Sequence, residues 1–247
     1  MSPSYETTGR STIAPADAPG TGAHRPAGVR SIGVVGDTHL PRFGRRLPAA
    51  LLDGLRTAGV ELILHAGDLT VPDVVEELAG IARVVAVAGN NDPSDLVERL
   101  GTSRIVEVEG VRIGLTHGHA GSGPRTPERA MSMFAGDPVD VVVFGHSHIP
   151  RWERRGNVWL LNPGSPTDRR RMPAYSYAIL EVAPPSPDDV EGVGAAAAAQ
   201  NARAVAAAEG ELSATDFDGR GAHLLPAERV SARIEWYADR SPGPPRV

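Results

Sequence analysis

Five short apolar runs in this chain each end on residues of the kind that ligate metals, and that repetition limits the folds open to it. Val-Val-Gly leads into Asp37-Thr-His39, His-Ala-Gly into Asp68, Val-Ala-Gly into Asn90, Gly-Leu-Thr into His117, and Val-Phe-Gly into His146-Ser-His148. A parallel strand delivers the residues beyond its carboxyl end to one crevice, so donors far apart in sequence can converge there. Such convergence is what a two-metal centre requires.

The first half of the chain alternates strands and helices. Residues 31–36 read as a buried strand, and Leu47, Leu51, Leu52 and Leu55 then share one face of a helix. Strands are expected again at 62–66 and 83–88, with helices at 72–78 and 94–100. Alternation with short connections argues for a largely parallel sheet. Beyond residue 100 the order changes. Residues 105–108 and 111–115 flank Glu109-Gly110, a tight hairpin turn. A helix at 127–134 precedes the run 139–144, apolar enough to be buried on both faces. Strands at 152–154, 158–161, 175–182 and 230–237 follow, the last as an edge strand, with Gly156-Asn157 as a second turn. This order predicts an α/β protein in which two mixed sheets pack together between helices, a four-layer αββα sandwich.

One domain is expected, over residues 29–240. Residues 1–28 and 241–247 read as disordered, and a Pro- and Ala-rich insertion occupies about 184–226, because these stretches offer little apolar area against the entropy of ordering. A net charge of −5 argues against nucleic acid held by a general basic field. The three consecutive arginines 169, 170 and 171 form either a steering patch for an anionic substrate or a solvated charged face. Cysteine is absent, so any metal must take nitrogen and oxygen ligands. No apolar stretch is long enough to span a bilayer, which makes a cytoplasmic location the expectation, and a homo-oligomer stays open.

Seven donors, Asp37, His39, Asp68, Asn90, His117, His146 and His148, suffice for two divalent ions if one carboxylate is shared, and Asp68 is the candidate bridge. His65 reads instead as a hydrogen-bonded interior histidine, on the opposite side of its strand from Ala66, and Asp92 as a residue that fixes the Asn90 loop through backbone bonds. Asn162-Pro-Gly-Ser165 is either a donor of backbone N–H groups near the site or an ordinary turn.

The blocks Gly36-Asp-Thr-His39, Gly67-Asp68, Gly89-Asn90-Asn91-Asp92, His117-Gly-His119 and Gly145-His146-Ser-His148 resemble the five blocks of the calcineurin-like metallophosphoesterase superfamily. Their spacing is similar to that of its small phosphodiesterases of the YfcE and MJ0936 type, whose fold the scaffold subunit Vps29 shares. The resemblance implies Asp37, His39, Asp68 and His148 around one ion and Asp68, Asn90, His117 and His146 around the other. It implies hydrolysis of a small phosphoester, most simply a phosphodiester, by in-line attack of a hydroxide bridging ions about 3.5 to 4 Å apart. Manganese is the first expectation for the metal, with iron, zinc or nickel as rivals. A monoesterase or nucleotidase is the alternative within the same chemistry. A non-catalytic scaffold of the Vps29 kind is the alternative outside it, marked by loss of several donors, and none of the seven is lost.

One position departs from the pattern. Many members carry histidine directly after the metal-binding asparagine, and here it is Asn91, which can donate a hydrogen bond but cannot act as a general acid. His119 is the nearest substitute in sequence, or else supports a ligand from behind.

Overall fold

The computed structural model describes residues 27–185 and 229–238, together with the backbone at Ser11 and Thr12. The expected insertion falls almost wholly outside these residues, as does the C-terminal tail, and so does the N-terminal extension apart from a two-residue strand, β1 (Ser11–Thr12).

Two sheets form the centre. The first half supplies β2 (Arg30–Val35), α1 (Ala49–Thr57), β3 (Leu62–His65), α2 (Asp73–Ala79), β4 (Arg83–Ala86) and α3 (Ser94–Leu100). Then come β5 (Ser103–Val108), β6 (Val111–Thr116), α4 (Thr126–Ser132), β7 (Val141–Val143), β8 (Arg151–Arg155), β9 (Val158–Asn162), β10 (Tyr175–Val182) and β11 (Val230–Tyr237). One sheet has the order β11-β10-β2-β3-β4 and the other β1-β5-β6-β7-β9-β8. Both are mixed: β2, β3 and β4 run parallel, as do β6, β7 and β9; β10 pairs antiparallel to β2 and β11, β5 antiparallel to β6 but parallel to β1, and β8 antiparallel to β9.

The period-2 alternation of side chains decides which face each residue serves. In β2 and β10, Ile32, Val34, Ala178, Leu180 and Val182 point between the sheets and meet Ile113, Leu115, Val141, Val143 and Leu161 from the other side. Val35 and Ile179 face outward, under Leu51, Leu52 and Leu55 of α1 and the apolar sides of α2 and α3. On the far side Ala130 of α4 and Phe134 just beyond it cover Val142, Phe144 and Leu160. The layers are therefore αββα. Each fully buried leucine of α1 contributes on the order of 1.5 to 3 kcal/mol through removal from water.

The apolar run at 139–144 pairs as a strand over only three residues. Asp140 exchanges bonds with Arg112, its amide donating to the carbonyl (2.8 Å) and its carboxylate accepting from the amide (2.7 Å), and Gly145 turns away toward the His117 carbonyl (3.1 Å). Likewise β4 stops at Ala86, because the Ala88 amide leaves the sheet for the Gly101 carbonyl at 2.7 Å.

Candidate metal centre

Loops following β2, β3, β6 and β7 are stitched to one another at the carboxyl ends of their strands. The Asp37 amide donates to the Gly67 carbonyl (2.9 Å) and the His39 amide to the Asp68 carbonyl (2.9 Å). The His146 amide donates to the Asp37 carboxylate at 2.9 Å. Gly67 and Gly89 permit this close approach: a Cβ at Gly67 would sit 2.8 Å from His117 Nδ1, and one at Gly89 would sit 2.2 Å from Asp68 Oδ1.

Two groups of donor atoms result, each within 4.8 Å: Asp37 with His39 and His148, and Asp37 with Asp68 and His117. All five residues are buried. His148 Nε2 lies 3.2 Å from Asp37 Oδ1 and 3.2 Å from His39 Nε2. Asp68 Oδ2 lies 3.2 Å from His117 Nε2 and 3.6 Å from His39 Nε2, so this carboxylate spans the two groups. Asp37 belongs to both as well. His146 stands beside the second group, its ring edge-on to that of His117 at 5.1 Å. Asn90 is exposed, next to Asn91. The amide and side chain of Asn91 donate to Asp68 Oδ1 (2.8 Å) and Oδ2 (2.7 Å), which fixes the carboxylate's direction. His119 is half-buried, 5.4 Å ring to ring from His117, and its Nδ1 has no hydrogen-bond partner.

The proton positions suit a cation. His117 Nδ1 donates to the Ala66 carbonyl (2.7 Å) and His148 Nδ1 to the Asp168 carbonyl (2.6 Å), so in each neutral ring the lone pair sits on Nε2 and points into the site. His117 Nε2 is buried with no aligned hydrogen-bond partner despite its nearness to Asp68. Two buried carboxylates beside inward-facing imidazole lone pairs form a nitrogen and oxygen donor set that fits a divalent ion.

Burial raises the carboxyl pKa of Asp37, but His148 and His117 outweigh it and hold the group below its ordinary value. At Asp68 burial is likewise outweighed, by His117 and the two Asn91 donors, and the group stays charged. Burial works against charge on His117 and His148 too, yet Asp68 and Asp37 raise both above the ordinary histidine value. His146 is pushed down to about 4 by burial and then by His117. The cluster thus holds anions that attract a cation and imidazoles that must shed protons to ligate one.

Backbone strain is concentrated at the same residues. Asp37 (φ 55°), His39 (φ 46°), Asp68 (φ 57°), His146 (φ 67°) and His148 (φ 57°) all occupy the left-handed region. Each such non-glycine residue costs on the order of 1 kcal/mol or more, and clusters of them mark functional sites.

The supports behind the donors were only partly legible in sequence. Asp92 accepts from the amides of Asp68 (2.9 Å), Gly89 (2.7 Å) and Thr70 (2.6 Å), holding the loop as its place in a turn suggests. The 162–165 segment braces the site by side chains: Asn162 Nδ2 donates to the Gly145 carbonyl (2.8 Å) and Ser165 Oγ to the Asp37 carbonyl (2.8 Å). Thr167 Oγ1 donates to the Thr38 carbonyl at 2.6 Å. Nothing in the sequence marked Thr167 or Asp168, whose partners lie far away along the chain. His65 is buried as an interior residue, its Nε2 3.3 Å from Thr38 Oγ1.

Residues 31–184 match the family model described as the Calcineurin-like phosphoesterase superfamily domain. A probable metallophosphoesterase of Methanothermobacter thermautotrophicus is 43% identical over 137 residues, 55% of this chain and 77% of that protein. Phosphodiesterase YfcE of Escherichia coli K12 is 35% identical over 115 residues, 44% of this chain and 58% of YfcE. Among solved structures, wild-type Vps29 of Entamoeba histolytica complexed with zinc superposes with a TM-score of 0.52 at 29% identity, covering 61% of this chain and 84% of that one.

Proposed function

The chain belongs to the calcineurin-like phosphoesterase superfamily, and from that membership we propose that it is a phosphodiesterase working with a dinuclear metal centre. The observation that carries this is the convergence of five buried donors, four of them with left-handed backbone, with the Nε2 lone pairs of His117 and His148 turned inward. We assign Asp37, His39, Asp68 and His148 to one ion and Asp68, Asn90, His117 and His146 to the other. When bound, such ions supply an activated water nucleophile and neutralise charge on the phosphoryl group. Manganese suits a site with carboxylate donors, and zinc is its main rival, given the zinc complex of the structural relative Vps29.

The protein's own groups then have distinct tasks. Asp68 holds its carboxylate between the two histidine groups because Asn91 grips both oxygens. Asn91 is accordingly a positioning residue here, and His119 is the remaining group beside the site able to hand a proton to a leaving oxygen. Diester preference draws on the name of YfcE, while the absence of a general acid at Asn91 disfavours poor leaving groups of either ester class. The likeness to Vps29 favours one other reading, a scaffold that binds metal without turnover.

Metal-stripped protein resupplied with manganese separates these. It should hydrolyse bis(p-nitrophenyl) phosphate faster than p-nitrophenyl phosphate, and neither without metal. Faster monoester hydrolysis would replace the diesterase reading with a monoesterase. Two bound ions and no turnover of either ester would favour the scaffold.

A further inference from the structure

Two loops leave the His39 and His148 side of the site, and both are rich in arginine. Residues 40–46 follow His39 directly; residues 168–172 begin at Asp168, whose carbonyl takes the His148 proton at 2.6 Å. Thr167 staples the two loops together through the Thr38 carbonyl (2.6 Å). Their twelve positions hold six arginines and one aspartate, in a chain whose net charge is −5. Arg46 is tied to Glu77 at 3.6 Å. Arg42, Arg45, Arg169, Arg170 and Arg171 are exposed.

Two of these five are placed with respect to the donors. The Arg170 guanidinium donates to the His146 carbonyl (3.2 Å) and lies 3.8 Å from the Asp168 carboxylate, with 48% of its side chain still open to solvent. Arg42 sits over the Phe43 ring at 5.2 Å, and Phe43 meets the His39 ring edge-on at 6.0 Å. On the His117 side stand Asn91, His119 and Arg129, whose guanidinium donates to the Gly118 carbonyl at 3.2 Å. Five exposed arginines nonetheless gather on the His39 and His148 side. A solvated face would have no reason to gather arginines on the two loops that share the His39–His148 contact, where they repel one another. A guanidinium fork matches a phosphate's oxygens, and several gathered beside one site strengthen the field on an incoming anion.

We propose that the substrate is a phosphodiester bearing a second phosphate, and that Arg42 and Arg170 hold this second phosphate while the ester lies among the donors. The proposal rests on the phosphodiesterase function assigned above. It makes the two arginines specificity residues, felt chiefly in KM.

The test uses the full chain loaded with manganese and the p-nitrophenyl phosphodiester of thymidine, with and without a further phosphate on its other hydroxyl. In the wild type the ratio of kcat/KM, phosphorylated over unphosphorylated, should be at least about tenfold, and it should fall toward unity between about 50 mM and 500 mM NaCl as screening shortens the field. In Arg42→Gln/Arg170→Gln the ratio should drop toward one at low salt, through a rise in KM. A wild-type ratio near one, a ratio unmoved by salt, or one unchanged in the double variant overturns the proposal while leaving the diesterase function standing. The salt series needs only the wild type, so it decides the matter even if the variant does not fold. Turnover of neither ester by the wild type removes the diesterase function and this inference together.

Discussion

His117 keeps its proton on Nδ1 because the Ala66 carbonyl accepts it, and the buried Nε2 left over is the kind of atom a protein retains for a ligand. The residues behind the donors should matter nearly as much as the donors. Asp92→Ala removes the acceptor from three backbone amides and should destabilise the fold by about 2 to 4 kcal/mol in urea unfolding, with metal affinity about 10 to 100 times weaker in a manganese titration. His65 yields a pH prediction. Burial pushes its folded pKa from 6.5 down to about 3, so the unfolded chain binds the extra proton between those values and stability falls as pH drops below 6.5. In metal-free protein His65→Gln should therefore lose less stability than the wild type between about pH 7 and pH 5; equal losses would show that His65 is not held neutral. The donors themselves were legible in sequence because each follows an apolar run. The hydroxyl bonds of Ser165 and Thr167 were not, because they reach carbonyls 128 and 129 residues away and a hydroxyl's partner leaves no local trace.

At the scale of the element, strands and helices followed from periodicity, and three of them, at Ser94–Leu100, Tyr175–Val182 and Val230–Tyr237, have the bounds that hydrophobic pattern alone predicts. Other ends were misjudged, among them those of β4, β5, β7 and α4, and at β4 and β7 an amide abandons its ladder for a neighbouring loop, an event that apolar pattern does not encode. The left-handed turns that carry five proposed ligands were equally invisible, since positive φ is uncommon for any residue but glycine, even for Asp and His, which take it more often than most. Gly89→Ala tests how tightly these turns are packed. Its Cβ would meet Asp68 Oδ1 at 2.2 Å and the Asp68 amide at 2.7 Å, so the carboxylate must swing away. The variant should lose at least about tenfold in diester hydrolysis and about 1 to 3 kcal/mol in stability, read by kinetics and urea unfolding side by side.

Across the whole molecule, the apolar layer between the sheets sets the distance at which loops from both sheets meet. Far along the strands from the donors, Arg30 of β2 bonds Glu61 (2.9 Å) and Glu109 (2.7 Å), and Arg229 reaches the carbonyls of Ala183 and Glu109, so the end opposite the site is tied across sheets too. The Ala183 amide donates to the Arg229 carbonyl at 2.9 Å, which brings the two ends of the Pro- and Ala-rich stretch to one point. Among the described residues no helix is long and apolar enough to cross a membrane. Whether two ions share the Asp68 carboxylate is read from the metal content of Asp68→Asn, measured by elemental analysis after manganese loading and set beside its rate on bis(p-nitrophenyl) phosphate. Two ions per wild-type chain, with both lost together in the variant and the rate down at least about 100-fold, is the predicted result; a variant that keeps both ions and the full rate would contradict it.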